Sequence, residues 1–437
     1  MKRKIYSDLL KWKSDGMMKP LMVIGARQVG KTYIVDEFCK KEFKNYIYFN
    51  LFYDTDIVKI FEKDISMEDK IFLLKLAIKK KKAIDVEFEN TILFIDEIQE
   101  SESLISALKY FAESKQKYNI IVAGSLLGVK LKRMKSAFPV GKVDMLYMNS
   151  LDFEEFIYAT IGEEVIPKLK TSYEENTPVV DVLHNMLLDL YRAYLCIGGM
   201  PEAVNDYLKN NKDLSLFKRE NLENIKNGYL SDMRKYVTDA SETVRIENIY
   251  NSIALQLGNK SNKFQYSKVN KTARAVNYET AMQWLISSKM VEKICSCSTP
   301  KMPLEAYKDD SVFKLYLNDV GLLTDSLKLN FFDILEDVDF LQKGILAENF
   351  VMQQLMANKL NVYYWKDSNY AEVDFLIYNK DGVIPIEVKA GDNVKSSSLN
   401  KFMKQYAPQY AIRVSTKNFG FANGIKSVPL YATFLIK

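Results

Sequence analysis

The stretch LMVIGARQVGKTYIVDEF, residues 21–38, constrains the fold of this chain more than any other part of its sequence. Four apolar residues run into Gly25, four residues follow, and Gly30, Lys31 and Thr32 then begin an amphipathic pattern. This is the G-x-x-x-x-G-K-[ST] pattern in the strand–loop–helix setting that it requires. Glycines let the backbone curl so that its N–H groups face phosphate oxygens, and the helix N-terminus adds positive potential. The stretch therefore predicts a phosphate-binding loop.

The side chains of this loop suit a nucleoside triphosphate. Lys31 would reach the β- and γ-phosphates, which makes it a candidate catalytic residue, and the hydroxyl of Thr32 would ligate Mg²⁺. The candidate nucleotide-binding residues of the loop are Gly25, Ala26, Arg27, Gln28, Val29, Gly30, Lys31, Thr32 and Tyr33.

Two further apolar stretches end in polar residues. TILFIDEIQE, residues 91–100, ends its apolar run at Asp96 and Glu97. Asp96 would hold magnesium through water, and Glu97 would polarise the attacking water. YNIIVAGSLLG, residues 118–128, carries Ser125, whose hydroxyl can lie between those carboxylates and the γ-phosphate. Strands that alternate with helices predict an α/β fold with a doubly wound parallel sheet and its ligand at the carboxyl ends of the strands.

The last hundred residues carry acidic side chains in apolar surroundings. A helical pattern carries Glu348, the next strand pattern carries Asp374, and the strand pattern VIPIEVK carries Glu387 and Lys389. Residues two apart on a strand share a face, so Glu387 and Lys389 are expected side by side. Burying such a pair is costly unless the two pair or bind something. The pattern is compatible with two interpretations, an ion-paired structural network and a metal site.

These pieces, in this order, resemble the AAA-type P-loop ATPases. They resemble more closely a prokaryotic family that couples such an ATPase to a C-terminal nuclease-like domain, and the resemblance covers nearly the whole chain. It includes the stretches FPVGKVDMLYMNSLDFEEF (138–156), YLCIGGMPEAV (194–204) and VFKLYLNDVGLL (312–323). The resemblance implies ATP and Mg²⁺ as cofactors and ATP hydrolysis as the activity, with catalytic roles for Lys31, Glu97 and Ser125.

The chain departs from this family at one position and matches related proteins at another. The family often has arginine where this chain has Lys142, and lysine cannot form the bidentate fork on a phosphate. An arginine finger is therefore not predicted there, and Arg133 lies nearby in the sequence. Related signalling ATPases place a Gly-x-Pro against adenine, which makes Pro201 a candidate adenine contact. A helix cap followed by a helix start accounts for the same residues.

The C-terminal order of a glutamate on a helix, an aspartate on a strand and Glu-x-Lys on the next strand resembles the PD-(D/E)XK nuclease pattern. The resemblance implies that Asp374 and Glu387 ligate Mg²⁺ and that Glu348 is either a further ligand or a carboxylate that supports the ligands without binding the ion. Lys389 would orient or help to deprotonate the attacking water and is a candidate catalytic residue.

The middle of the chain, about residues 215–330, is helical and rich in Tyr, Asn and Lys. Three short helical patterns have a spacing that resembles a winged helix, with residues 278–288 in the recognition position. Lys268, Lys271 and Arg274 are candidate phosphate contacts, and packing of this region against the rest of the chain is the alternative to DNA binding.

Composition excludes several classes of function. The single histidine, His184, leaves little room for Ser-His-Asp or Cys-His catalysis. Four cysteines in 437 residues do not make a disulfide framework. The chain has no run of eighteen apolar residues, so no membrane span is predicted. Its basic start lacks the apolar core of a secretory signal. A cytoplasmic location without membrane partners is therefore expected. The net charge of +5 does not by itself indicate nucleic acid.

The sequence predicts three domains: an AAA-type P-loop ATPase domain (1–210), a helical, winged-helix-like domain (211–334) and a small α/β, PD-(D/E)XK nuclease-like domain (335–437). One hypothesis is an ATP-binding and ATP-hydrolysing protein that acts on DNA through the last domain. The other is a regulatory or signalling ATPase whose last domain is a catalytically inactive interaction module. Assembly into a homo-oligomer is a further hypothesis.

Overall fold

The structure, a computed structural model, describes residues 1–133, 141–237, 239–258, 263–338, 340–367, 371–391 and 397–437. It divides into an N-terminal unit, residues 2–149 and 287–289, and a C-terminal unit, residues 150–286 and 290–437. The helices that follow residue 150 pack with later parts of the chain. The predicted three-domain division stays a prediction.

The N-terminal unit contains, within its described residues, five strands and six α-helices. The strands are β1 (Leu21–Ile24), β2 (Asn45–Asn50), β3 (Thr91–Asp96), β4 (Asn119–Gly124) and β5 (Asp144–Tyr147). The helices are α1 (Ile5–Ser14), α2 (Lys31–Glu42), α3 (Thr55–Glu62), α4 (Met67–Lys82), α5 (Glu102–Glu113) and α6 (Leu127–Arg133). The strands form one sheet in the order β2-β3-β4-β1-β5, and each of these pairings is parallel.

Continuous apolar sequence explains why the middle of this sheet is buried. The strands β1, β3 and β4 are buried along their whole length, as expected for strands covered on both faces. Helix α5 begins at a serine cap, where Ser101 Oγ accepts a hydrogen bond from the amide of Leu104 (3.2 Å). Leu104, Leu108 and Phe111 of this helix then join the core under the sheet. The predicted α/β fold with a doubly wound parallel sheet is confirmed.

The C-terminal unit combines helices with a second sheet. Its helices are α7 (Phe153–Thr160), α8 (Ile166–Glu175), α9 (Asp181–Ile197), α10 (Pro201–Lys209), α11 (Glu220–Tyr236), α12 (Ala240–Leu257), α13 (Tyr266–Val269), α14 (Ala275–Ser287), α15 (Val320–Ser326), α16 (Phe331–Leu335), α17 (Lys343–Ala357) and α18 (Ser397–Tyr406). Its strands are β6 (Val291–Cys297), β7 (Lys308–Leu317), β8 (Tyr363–Lys366), β9 (Glu372–Asn379), β10 (Gly382–Val388), β11 (Ala411–Ser415), β12 (Gly420–Ala422) and β13 (Ile425–Pro429).

This second sheet joins two regions that the predicted boundary at residue 334 separates. Its order is β12-β13-β11-β10-β9-β8-β6-β7. The strands β9 and β10 form an antiparallel hairpin, and β6 and β7 form another. The two parts meet where β6 pairs in parallel with β8, at Ser296 and Tyr364. Side chains of β7 and of the C-terminal strands therefore belong to one layer of the fold.

All four cysteines are free and buried. No helix of the described segments is long and apolar enough to cross a membrane.

Candidate functional site

The phosphate-binding loop joins β1 to α2, and each of its two glycines is required for a different structural reason. A Cβ on Gly25 would lie 2.1 Å from the carbonyl oxygen of Met148, so the close approach of the two backbones requires glycine. Gly30, directly before α2, has a φ of +94°, in the left-handed region that glycine adopts readily. Arg3 supports the loop: its buried guanidinium donates a hydrogen bond to the carbonyl of Val29 (2.9 Å).

The two chemically active side chains of the loop are already oriented. The ammonium of Lys31 is buried and donates to the carbonyl oxygens of Gly25 (2.9 Å) and Ala26 (2.7 Å). The hydroxyl of Thr32 donates to Asp96 Oδ2 (2.7 Å), at the end of β3. The structure thus brings together Thr32 and Asp96, which are the pair predicted to hold magnesium. A hydroxyl and a carboxylate are oxygen ligands of the kind that Mg²⁺ prefers, so the residues present fit this ion.

Glu97 follows β3 in an unusual backbone conformation, with φ +54° and ψ +41°. Its amide donates to Asp96 Oδ1 (3.0 Å), and its carboxylate accepts a hydrogen bond from the buried amide of Gln99. Gln99 in turn packs over Gly124, because a Cβ at that position would lie 2.3 Å from Gln99 Oε1. Ser125 follows directly and is half-buried. Gln99 therefore connects the candidate water-activating carboxylate with the end of β4.

The sheet order explains how these residues meet. β4 lies between β1 and β3, so Ser125 emerges between the phosphate-binding loop and Asp96. The carboxyl ends of parallel strands meet at one edge of a sheet, which places the polar residues of all three strands there. Of the other predicted loop residues, Val29 is buried, and the exposed ones are Arg27, Gln28 and Tyr33.

The sequence also singles out Lys142, Arg133 and Pro201. Lys142 forms an ion pair with Glu113 (2.9 Å). The side chain of Arg133 and residues 134–140 lie outside the described residues. Pro201 is the first residue of α10 in the C-terminal unit, which confirms the helix start, and its contact with adenine stays a prediction.

The glycine pair before Pro201 is held by a buried carboxylate of the same unit. Gly198 ends α9 with a φ of +72°. Asp319 accepts hydrogen bonds from the amides of Gly199 (2.8 Å) and Gly321 (2.9 Å). A Cβ on Gly198 would lie 1.9 Å from Asp319 Oδ1, so the turn has no room for a side chain. Burial raises the pKa of Asp319, and the amide hydrogen bonds oppose that rise.

The acidic residues of the C-terminal unit converge around a lysine that the sequence analysis missed. Lys314 of β7 is fully buried and contacts Glu348 Oε1 of α17 (2.8 Å) and Glu372 Oε1 of β9 (2.7 Å). Tyr316, on the same face of β7, donates its hydroxyl to Glu348 Oε1. The group formed by Lys314, Glu348, Glu372, Asp374, Glu387 and Lys389 is called the carboxylate cluster below.

The remaining members of the carboxylate cluster come from the β9–β10 hairpin. Glu387 and Lys389, predicted to lie side by side, form an ion pair (2.7 Å). Asp374 accepts a hydrogen bond from the amide of Val388 (2.7 Å). Glu348, Asp374, Glu387 and Lys389 are thus brought together as the nuclease-like pattern predicts, although their predicted roles stay predictions.

Electrostatics sets the protonation of this cluster. Burial alone would lower the pKa of Lys314, but the negative charge of Glu348, followed by Tyr316, Glu372 and Asp374, raises it well above the usual value. The acidic partners therefore favour the charged form of Lys314. Burial also raises the pKa of Asp374 well above its ordinary value, and the charges of Glu387 and Glu348 add to this rise, while Lys314 opposes it.

The carboxylate cluster fits a metal ion poorly. Across the described part of the chain, no group of three or more His, Cys, Asp or Glu side chains is arranged to hold a metal ion. In the carboxylate cluster, the ammonium of Lys314 lies between two of the carboxylates, at the place where a metal ion would have to bind them. The donor set is therefore that of an ion-paired network.

Sequence signals existed for two of the missed residues. Lys314 interrupts the apolar strand pattern VFKLYL, and a lysine there is costly to bury unless it is paired. Gln99 is an uncharged amide two residues after Glu97. The sequence offers no such signal for Arg3, because the residues around it give no indication that its side chain contacts Val29 in the loop.

Matches to family models divide the chain into three stretches. Residues 18–157 match a model described as AAA domain. Residues 188–333 match a Domain of unknown function (DUF8612), and residues 343–433 match another Domain of unknown function (DUF4143). No curated protein matches the chain.

Solved structures with distant similarity include three ATPases or nucleotide complexes. The Aeropyrum pernix ORC2 protein in ADPNP–ADP complexes is 13% identical, with 76% of this chain and 92% of that chain covered and a TM-score of 0.36. The STAND protein PH0952 from Pyrococcus horikoshii is 13% identical, with 82% and 45% covered and a TM-score of 0.28. The S. cerevisiae Hsp104–ADP complex is 15% identical, with 65% and 37% covered and a TM-score of 0.29.

Proposed function

We propose that this chain, whose residues 18–157 form a P-loop AAA-type ATPase domain, binds ATP with Mg²⁺ and hydrolyses it. One observation carries the proposal: the loop lysine, the Thr32–Asp96 pair and Glu97 lie at one edge of the parallel sheet. These are the residues that charge binding and water activation require.

Each of these residues has a defined task in the proposed reaction. Lys31 exchanges the carbonyls of Gly25 and Ala26 for oxygens of the β- and γ-phosphates. Thr32 and Asp96 would hold Mg²⁺, which supplies positive charge against the phosphate oxygens. Glu97 accepts a proton from the attacking water, in the orientation set by Gln99. Ser125 orients the γ-phosphate from the end of β4.

Phosphate release by the full-length chain with ATP and Mg²⁺ tests this proposal. We expect release that stops when EDTA removes the magnesium. Binding of a fluorescent ATP analogue, measured in parallel, separates the two parts of the proposal. Binding without release would overturn hydrolysis alone, and the absence of both would overturn the whole assignment.

For the C-terminal unit, we propose an interaction module of nuclease-like architecture that does not cut DNA. Its helix α17, the β9–β10 hairpin and the parallel pairing of β10 with β11 follow the nuclease-like order. The ion pairs of Lys314 and Lys389 with the acidic side chains favour the inactive alternative over the nuclease. Incubation of the full-length chain with DNA, Mg²⁺ and ATP tests it on a gel, where metal-dependent cutting would overturn the proposal.

DNA binding without cutting is a second candidate function. The helices α12, α13 and α14 precede the β6–β7 hairpin, which is the order of a winged helix. Lys268, Lys271 and Arg274 are exposed before α14, while Tyr278, Trp284 and Leu285 of that helix are buried. If this face binds DNA, replacing the three basic residues by alanine weakens binding and lowers its salt dependence. Unchanged affinity in the triple variant would remove this candidate.

A further inference from the structure

Lys314 has an environment that is rare for a lysine. Its side chain has no exposed surface, and its ammonium lies 2.8 Å from Glu348 Oε1 and 2.7 Å from Glu372 Oε1. The ring of Tyr364 faces the same ammonium at 5.1 Å. A buried charge persists only where partners offset its desolvation, and two carboxylates together with an aromatic face provide that offset here.

The spacing of the oxygens suits an ammonium rather than a magnesium ion. Glu348 and Glu372 each place an oxygen at the hydrogen-bond distance from Nζ. Magnesium requires oxygens at about 2.0–2.1 Å in near-octahedral geometry and keeps several waters. A fully buried lysine stem fills the volume that such waters would need, and its charge repels a second cation.

We propose that Lys314 takes the place of the divalent cation in the carboxylate cluster and excludes that ion from it. This inference deepens the proposed inactive, nuclease-like architecture and rests on it. The cluster keeps the acidic side chains of a metal-dependent site, but its positive charge comes from the chain itself. The β9–β10 hairpin and α17 supply the acids, and β7 supplies the cation.

The position of Lys314 in the sequence determines which form of the protein can test this proposal. It lies on β7, before residue 335, where the sequence places the start of the nuclease-like domain. A fragment that begins there would contain Glu348, Glu372 and Asp374 without their buried cation. The full-length chain is therefore the protein in which the exclusion has to be tested.

The experiment measures the melting temperature of the full-length chain without nucleotide, in EDTA and in millimolar Mn²⁺ or Mg²⁺. The wild-type chain should melt at the same temperature in all three solutions. Lys314→Met keeps most of the side-chain volume and removes the charge. It should melt lower than wild type in EDTA and gain about 3 °C or more with Mn²⁺, because a ligand that binds the folded chain stabilises it.

Two further variants assign the response. Asp374→Asn in the Lys314→Met background should abolish the gain with Mn²⁺, because it removes a carboxylate of the cluster. Lys389→Met, which removes the partly exposed lysine instead, should leave the chain unresponsive to metal. Because no nucleotide is present, these results are independent of whether the chain binds or hydrolyses ATP.

Two results would overturn the proposal. One is a wild-type chain that Mn²⁺ stabilises, with the effect lost in Glu348→Gln. Another is a folded Lys314→Met chain that shows no response to either ion. If Lys314→Met does not fold, Lys314→Gln takes its place, and the wild-type measurement still decides whether the cluster admits a cation.

Discussion

The phosphate-binding loop and the carboxylate cluster each contain a buried lysine, but they hold its charge in different ways. Lys31 donates to the neutral carbonyls of Gly25 and Ala26. Lys314 instead contacts the charged oxygens of Glu348 and Glu372. Neutral acceptors can be exchanged for phosphate oxygens at little electrostatic cost, whereas separating a buried ion pair leaves uncompensated charges.

This difference teaches how a binding site and an ion-paired core differ when both are rich in charged residues. The loop keeps its charge available to an anionic ligand. In the carboxylate cluster, the lysines already form ion pairs with carboxylates of the same chain. The Glu-x-Lys pattern by itself does not distinguish a binding site from an ion-paired core, because it is compatible with either.

The largest expected effect concerns Glu97. Glu97→Gln should lower kcat for ATP hydrolysis by about 10²–10⁴-fold, because a positioned general base is lost, and it should leave ATP affinity unchanged. Phosphate release and nucleotide binding measure the two quantities. Glu113→Gln, an exposed glutamate of the same unit, is the control. Turnover by Glu97→Gln at the wild-type rate would remove Glu97 from the proposed mechanism.

The next effect compares the two lysines directly by stability. Lys314→Met should lower the free energy of unfolding by about 3–5 kcal/mol, because it strands buried carboxylates. Lys31→Met should cost no more than about 1.5 kcal/mol, since it removes hydrogen bonds to neutral carbonyls. Urea unfolding followed by circular dichroism gives both values. Equal losses in the two variants would break the comparison.

Nucleotide affinity should show the reverse order. Lys31→Met should weaken ATP binding by about 2–5 kcal/mol, because a positioned charge on the phosphates is lost. Lys40→Met, on the exposed side of the same helix, is the matched control and should bind as wild type does. Binding of a fluorescent ATP analogue measures both, and tight binding by Lys31→Met would contradict the role of this lysine.

A smaller effect is expected at Gln99. Gln99→Ala removes the hydrogen bond that orients Glu97 and should lower kcat by about tenfold, within the range for a lost buried partner. The KM for ATP should stay the same, because Gln99 contacts the candidate base rather than the loop. Steady-state kinetics separates the two constants. A raised KM with an unchanged kcat would indicate a role in nucleotide binding instead.

The smallest effect concerns the pH dependence of stability. The raised pKa of Asp374 means that the folded chain holds this proton more tightly than the unfolded chain. The free energy of unfolding should therefore fall as pH rises from about 3.9, the ordinary carboxyl pKa, through the raised one. Asp374→Asn should remove this component and leave neutral-pH stability equal or up to about 1 kcal/mol higher. Urea unfolding between about pH 4 and pH 8 measures it, and a clear loss at neutral pH would contradict the repulsion.

The sequence by itself determined the parts of this protein that depend on neighbouring residues. The loop between β1 and α2 follows from a contiguous pattern, and Lys31 donates hydrogen bonds to Gly25 and Ala26 of that same pattern. Strand alternation likewise placed Glu387 beside Lys389. Local geometry fixes such relations, because a residue's near neighbours are set by the period of its helix or strand.

Only the tertiary structure decided what those residues meet. Lys314 lies between Glu348 and Glu372 because β7, α17 and β9 converge, and no sequence period relates the three elements. Gln99 reaches Gly124 for the same reason, since β3 and β4 are adjacent in the sheet. Long-range pairing is set by the packing of the whole layer. The sequence therefore predicted a carboxylate cluster, and the fold decided that its cation is a lysine.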